Sequence, residues 1–248
     1  MMSTTVQDSL SIEQVGGFVD VLGSKAHWPA AGDCEPGSYL TGRRRLPLPE
    51  GPVTVESASL FSDRGGRIEL PGDEFVLVLS GAVRLQQKGQ EFLLGAGEAA
   101  VVLREDALEW QAKEPTELLI MRCTAGGSTD KPVRIDTAAE LAPSNPPLAD
   151  LLVGPTPSCR NHTDFRSASG EFVCGTWDST PYHRRLMEFR HFELMRLLEG
   201  EVTFVDEDGR SGTFRAGDVV LFIQGGSASW ESRSHVKKIY STYRPAQG

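Results

Sequence analysis

The chain has 248 residues, long enough for two domains of about 120 residues each. Hydrophobic residues at 39% and charged residues at 24% are ordinary for a globular protein, and a net charge of −9 argues against nucleic acid or an anionic membrane surface as partner. No apolar run approaches the ~20 residues of a membrane-spanning helix, and no two of Cys34, Cys123, Cys159 and Cys174 have the CxxC spacing of a zinc site.

The polar start MMSTTVQDSL has neither a basic nor an apolar leader segment, so a cytoplasmic protein with reduced thiols is expected. The sequon Asn161-His162-Thr163 then carries no meaning. Arg43-Arg44-Arg45 is the one basic cluster and reads as a solvated loop rather than a phosphate site. From 58 to 123, short Val-, Leu- and Phe-rich runs are separated by turn residues, which predicts an all-β barrel or sandwich. Residues 124–132 (TAGGSTDKP) read as a linker. Asp136–Leu141 and Leu148–Val153 are candidate short helices, and a second strand series runs from near Phe172 to Tyr243. The stretch GAGEAA at 95–100 lacks the lysine of a phosphate loop and reads as a turn entering a strand.

The two strand series are copies of one unit. Glu74 precedes Gly81 by seven residues, as Glu193 precedes Gly200. Gly97-Glu98 and Gly217-Asp218 each open an apolar run, and a tryptophan follows each glycine by thirteen residues, at Trp110 and Trp230. Landmarks in step over nearly fifty residues require a duplicated structural unit. The expected domains are 1–127 and 128–248.

These landmarks resemble the cupin superfamily of jelly-roll β-barrels. The stretches GTWDSTP at 175–181, ELMRLLEGEVTF at 193–204, GTFRAGDVVLFI at 212–223 and VKKIY at 236–240 are similar to the family of ureidoglycine aminohydrolase cupin domains and ethanolamine-utilisation Q-like proteins. The resemblance implies an all-β fold of two tandem cupin barrels with minor helix, and a homodimer paired through outer sheet faces. A metal-binding cupin gathers three histidines and one glutamate inside the barrel. Aligned on Glu193, those histidine positions fall on Leu186, Glu188 and Ala228; aligned on Glu74, on Arg67, Glu69 and Leu108. No histidine remains, and carboxylates alone make a weak, unselective site, so no metal and no cofactor are expected. His191 lies two residues from Glu193 and would share its strand face, or else sits solvated in a turn; His183 reads as a loop residue.

The resemblance places Glu74 and Glu193 inside their barrels. The second pocket is the better candidate, with Glu193, Glu188, Trp177, Trp230, Lys238 and Tyr240 as ligand-binding residues and Glu74 as the counterpart in the first. A buried Lys238 would need Glu193 as its partner. The function expected is metal-free binding of a small amine-containing or ureido metabolite. The rivals are an aminohydrolase-like enzyme of ureide or amine metabolism and a structural dimerisation module.

Overall fold

A computed structural model describes residues 16–31, 38–127 and 131–246. In chain order it contains β1 (Phe18–Asp20), α1 (Val21–Ser24), β2 (Arg44–Arg45), β3 (Val53–Leu60), β4 (Arg64–Ile68), β5 (Asp73–Ser80), β6 (Ala82–Gln87), β7 (Gln90–Gly95), β8 (Ala99–Val102), β9 (Leu108–Ala112) and β10 (Thr116–Cys123). Then follow β11 (Val133–Arg134), β12 (Ala142–Ser144), β13 (Cys159–Arg166), β14 (Phe172–Ser179), β15 (Tyr182–Glu188), β16 (Phe192–Glu199), β17 (Glu201–Val205), β18 (Ser211–Arg215), β19 (Val219–Phe222), β20 (Ser227–Ser232) and β21 (Val236–Tyr243).

The strands form two barrels of matching topology. The first joins a sheet of order β11-β8-β5-β10-β3-β2 to one of order β4-β9-β6-β7. The second repeats this as β1-β19-β16-β21-β14-β13-β12 and β15-β20-β17-β18. Gly81 and Gly200 link β5 to β6 and β16 to β17 at φ +74° and +81°, and a side chain there would strike the backbone carbonyl of Pro115 or His235. Only glycine suits both demands.

The large sheets are buried on both faces, and alternation assigns each residue to one of two cores. On β5 and β16, Phe75, Leu77, Phe192 and Leu194 pack between the barrels, together with Leu119, Met121 and Ile239. Val76 and Val78 point into the first barrel, and Met195 and Leu197 into the second.

The outermost strand of each large sheet comes from across the 127/128 division. β11 pairs with β8 of the first barrel, and β1, from the start of the described chain, pairs with β19 of the second. Phe18 on β1 sits in the second core, with ring centroids 5.6 Å from Phe204 and 5.8 Å from Phe214. The exchange has no periodic signal, because a three-residue strand is too short to show one.

Helix is minor, as the sequence implies, but its placement differs. Residues 136–141 form only a turn, and 148–153 hold a single 3₁₀ turn at Ala149–Leu151. The unexpected α1 is capped by Asp20, whose Oδ1 accepts from the Gly23 N–H at 2.9 Å. The second strand series begins earlier than Phe172, with β12 and β13. Of the proposed linker, 128–130 lie outside the described residues. Among the described residues no helix is long and apolar enough to cross a membrane.

The exchange predicts that Phe18→Ala destabilises the second barrel, although Phe18 precedes the first. A loss of about 3–5 kcal/mol is expected in urea denaturation. Hydrogen exchange should accelerate in β17–β19 and stay near wild type in β5 and β10.

Candidate functional site

Inward alternation on β21 and β16 builds the site. Lys238, Tyr240 and Thr242 project from β21 and Glu193 from β16; Trp177 comes from β14, Trp230 from β20, and Tyr182 and Arg184 from β15. Phe189 and His191 enter from the turn before β16, and Arg244 follows β21. Together with Asn161, Met187 and Phe222 they surround a cavity of about 330 Å³.

The Glu193 carboxylate organises the charges. Lys238 Nζ donates to its Oε1 at 2.8 Å, and His191 Nε2 lies 3.3 Å from Oε2. Arg244 donates to His191 Nδ1 at 3.4 Å, so the compatible neutral tautomer carries its proton on Nε2 and donates it to Glu193. Burial alone would raise the Glu193 carboxyl, but the Lys238 ammonium and His191 hold it far below the usual carboxylate range. The ammonium also lies 4.8 Å from the Trp177 ring centroid and 5.2 Å from that of Trp230. Those two rings meet edge to face at 5.9 Å, and Tyr182 stacks on Trp230 at 5.4 Å. Burial pushes the Tyr240 hydroxyl up, although Thr163, 3.2 Å away, opposes this.

Five of the expected site residues, Glu193, Trp177, Trp230, Lys238 and Tyr240, thus share one cavity. Glu188 does not belong to it. The register of β15 against β20 slips between Arg184 and Met187, so one extra residue resets the alternation and leaves Glu188 exposed on the outer face. His191, for which a solvated turn was an open alternative, is buried against Glu193; His183 is exposed. Arg184 and Arg244 were missed. Arg184 continues an inward series from Tyr182, and Arg244 continues Lys238, Tyr240 and Thr242; period two extended past the strand would have found the latter.

The first barrel handles the matching carboxylate differently. Glu74 is fully buried and has no face left for a ligand, correcting its assignment as a ligand-binding residue. Arg43 Nη1 donates to it at 3.0 Å, Arg122 Nε at 2.8 Å and the Tyr39 hydroxyl at 3.0 Å. Arg43 and Arg122 also hold the buried Glu56, at 2.9 and 3.1 Å. Burial would raise both carboxyls; the two guanidiniums lower them instead. Arg43 is therefore a core residue rather than part of a solvated loop. It turns inward, while Arg44 reaches the carbonyls of Ala26 and Trp28 and Arg45 bonds Glu56 from the rim.

The second cavity does not fit the metal of the wider superfamily. Its one carboxylate is already bound to an ammonium, Leu186 is exposed, and Ala228 has no donor side chain. Among the described residues no three His, Cys, Asp or Glu side chains gather as a metal would require.

Residues 166–240 match the EutQ-like cupin domain. No curated protein sequence matches the chain. A solved protein of unknown function from Pseudomonas syringae pv. tomato, of the DUF861 family, is 28% identical with a TM-score of 0.76, covering 88% of this chain and 96% of that one. The Cupin 2 conserved barrel domain protein of Leptotrichia buccalis is 11% identical with a TM-score of 0.60, covering 93% and 97%. Protein Ylba of E. coli, also DUF861, is 14% identical with a TM-score of 0.58, covering 94% of each chain. The chain has the cupin fold, and the EutQ-like match falls within its second barrel.

Glu193→Gln strands Lys238 in the interior and should cost about 3–5 kcal/mol at pH 7, as when one member of a buried pair is removed. Replacing both, Glu193→Gln with Lys238→Met, should cost much less. Because the folded-state Glu193 carboxyl is depressed, its stabilisation is fully present above the unfolded carboxylate pKa, ~4.3. It is lost as pH falls toward the folded value. Urea titrations at pH 7 and pH 3 should show a smaller acid-induced loss in Glu193→Gln than in wild type, with the remainder carried by Glu56 and Glu74.

Proposed function

We propose that the second barrel, an EutQ-like cupin domain, binds one small polar metabolite of the ureido or amino-acid kind without a metal ion. The observation that carries this reading is an aromatic-walled cavity of about 330 Å³ whose sole carboxylate is already neutralised by Lys238. That volume suits a small ligand. A simple amine is the poorer occupant, because the Lys238 ammonium already takes the seat between Glu193, Trp177 and Trp230 that a ligand cation would use. A planar ureido group instead needs matched donors and acceptors, which the Asn161 amide and Tyr240 hydroxyl on the cavity wall can supply.

The rival reading is an enzyme, and the His191–Glu193 pair is what favours it. With Arg244 on Nδ1 and Glu193 on Nε2, however, His191 has both nitrogens engaged, and Glu193 is held too acidic to be an effective base. Binding is the better account. A homodimer belongs to the same proposal, supported by large exposed apolar side chains such as Leu93 and Leu148; light scattering should give twice 27.0 kDa, and a monomer mass at all concentrations would remove it.

A thermal-shift and calorimetric panel of ureido acids, amino acids, simple amines and apolar alcohols tests the function. Ureido or amino acids should raise the melting temperature, with about 2.7 kcal/mol of stabilisation at 100-fold excess over Kd. Trp177→Ala should weaken that binding. Hits confined to amines or apolar molecules, or no hits, would overturn the proposal.

A further inference from the structure

Arg184 is a buried charge with no ion pair among the described residues, its guanidinium lying 5.6 Å from the Phe189 ring centroid. It lines the second cavity and is only 7% exposed. Its Nη2 donates to the Ala228 carbonyl at 3.0 Å, Nη1 meets only the weakly accepting Met187 sulfur at 3.5 Å, and Nε has no acceptor. Among the described residues no carboxylate lies within ion-pair distance of it. The buried arginines of the first barrel, Arg43 and Arg122, each pair with both Glu56 and Glu74. A desolvated guanidinium without a counter-charge is costly, and a fold keeps one where something anionic arrives to meet it.

Three further observations agree. Arg184 lies opposite Trp230 across the β15–β20 pair, as Lys238 lies opposite Trp177 across β14–β21, so two cationic side chains flank the touching tryptophans. Arg184, Lys238 and Arg244 set three cations on the cavity wall against the single carboxylate of Glu193. And the first barrel has no counterpart of this arginine: Gly66 stands opposite Trp110 where Arg184 stands opposite Trp230. The arginine accompanies the open cavity.

We infer that Arg184 is the carboxylate anchor of the second-barrel pocket, and that the occupant is an organic acid whose carboxylate docks on the terminal guanidinium N–H groups while its uncharged part lies toward Tyr240 and Asn161. The inference rests on the proposal that this cavity binds a small metabolite, and specifies the charge of that metabolite and the residue that reads it. Guanidinium and carboxylate match in a planar, two-bond geometry that an ammonium cannot reproduce.

Calorimetry on the full chain with matched pairs tests it: N-carbamoylglycine and succinate against N-carbamoylglycinamide and succinamide. Wild type should prefer an acid over its amide by at least tenfold. Arg184→Met should weaken acid binding on the order of 100-fold, the usual cost of removing one side of a desolvated charge pair. Arg184→Lys should recover only part of it, and amide binding should stay unchanged in both variants. Without ligand, Arg184→Met should melt at the same temperature as wild type or higher, because it removes an unpaired buried charge; a large drop would make Arg184 a structural residue and overturn the inference. Amides bound as tightly as acids, or acid affinity unmoved in Arg184→Met, would overturn it while leaving metabolite binding intact. Failure of every acid and amide to bind wild type would overturn both.

Discussion

Strands buried on both faces are the constraint on which the rest of this molecule depends. β5 and β10 in the first barrel, and β16 and β21 in the second, give one set of side chains to the seam between the barrels and the other to a barrel interior. A slip of one residue would exchange the sets. Slipped on β16, Glu193 would enter the seam beside Ile239, and Phe192 or Leu194 would replace it beside Lys238. The site is therefore fixed by the packing of the two barrels against each other, and the seam supplies the rigid wall that a preorganised pocket needs.

Within that frame the two barrels treat their matched carboxylates, Glu74 and Glu193, differently. The first neutralises Glu74 completely, with Arg43, Arg122 and Tyr39, and adds Glu56 to balance the second guanidinium. Such a closed network satisfies its charges and holds the interior rigid. The second barrel balances Glu193 with Lys238 and, among the described residues, leaves Arg184 without a carboxylate at ion-pair distance. One interior is electrically complete and the other is not, which is why a ligand is sought in the second.

The features legible in the sequence were those with period or repetition. The spacing of Glu, Gly, Gly and Trp gave the duplication, and the resemblance placed Glu193 inside, after which Lys238 and Tyr240 followed from alternation along β21. The misplacements share a cause, which is local departure from period two. The extra residue between Arg184 and Met187 turned Glu188 outward. Arg43 enters the core from a segment adjoining a two-residue strand, where no pattern can be read. The exchange of β1 into the second barrel is a tertiary choice between two equally short edges, and sequence proximity points to the wrong one. The DUF861 and cupin relatives share the architecture, and architecture leaves the contents of the barrel free.

The contrast between the interiors comes down to a few matched positions. Arg122 lies opposite Glu74 in the first barrel, and Thr242 lies opposite Glu193 in the second. Glu56 lies opposite Ile120, while Gly175 lies opposite Tyr240. Two long charged side chains are thus replaced by threonine and glycine; Thr242 lines the cavity, and the backbone at Gly175 packs directly on the His162 carbonyl. The cation has moved as well: it sits at Lys238, opposite Trp177, where the first barrel has Leu118 opposite Ala58. From there its flexible stem runs beneath the tryptophans to Glu193 and covers the carboxylate from one side only. An arginine at 242 would have neutralised Glu193 equally well and closed the barrel. Charge balance could be met from either position, but only the lysine at 238 meets it while leaving the ground in front of Tyr240, Thr242 and Arg184 open.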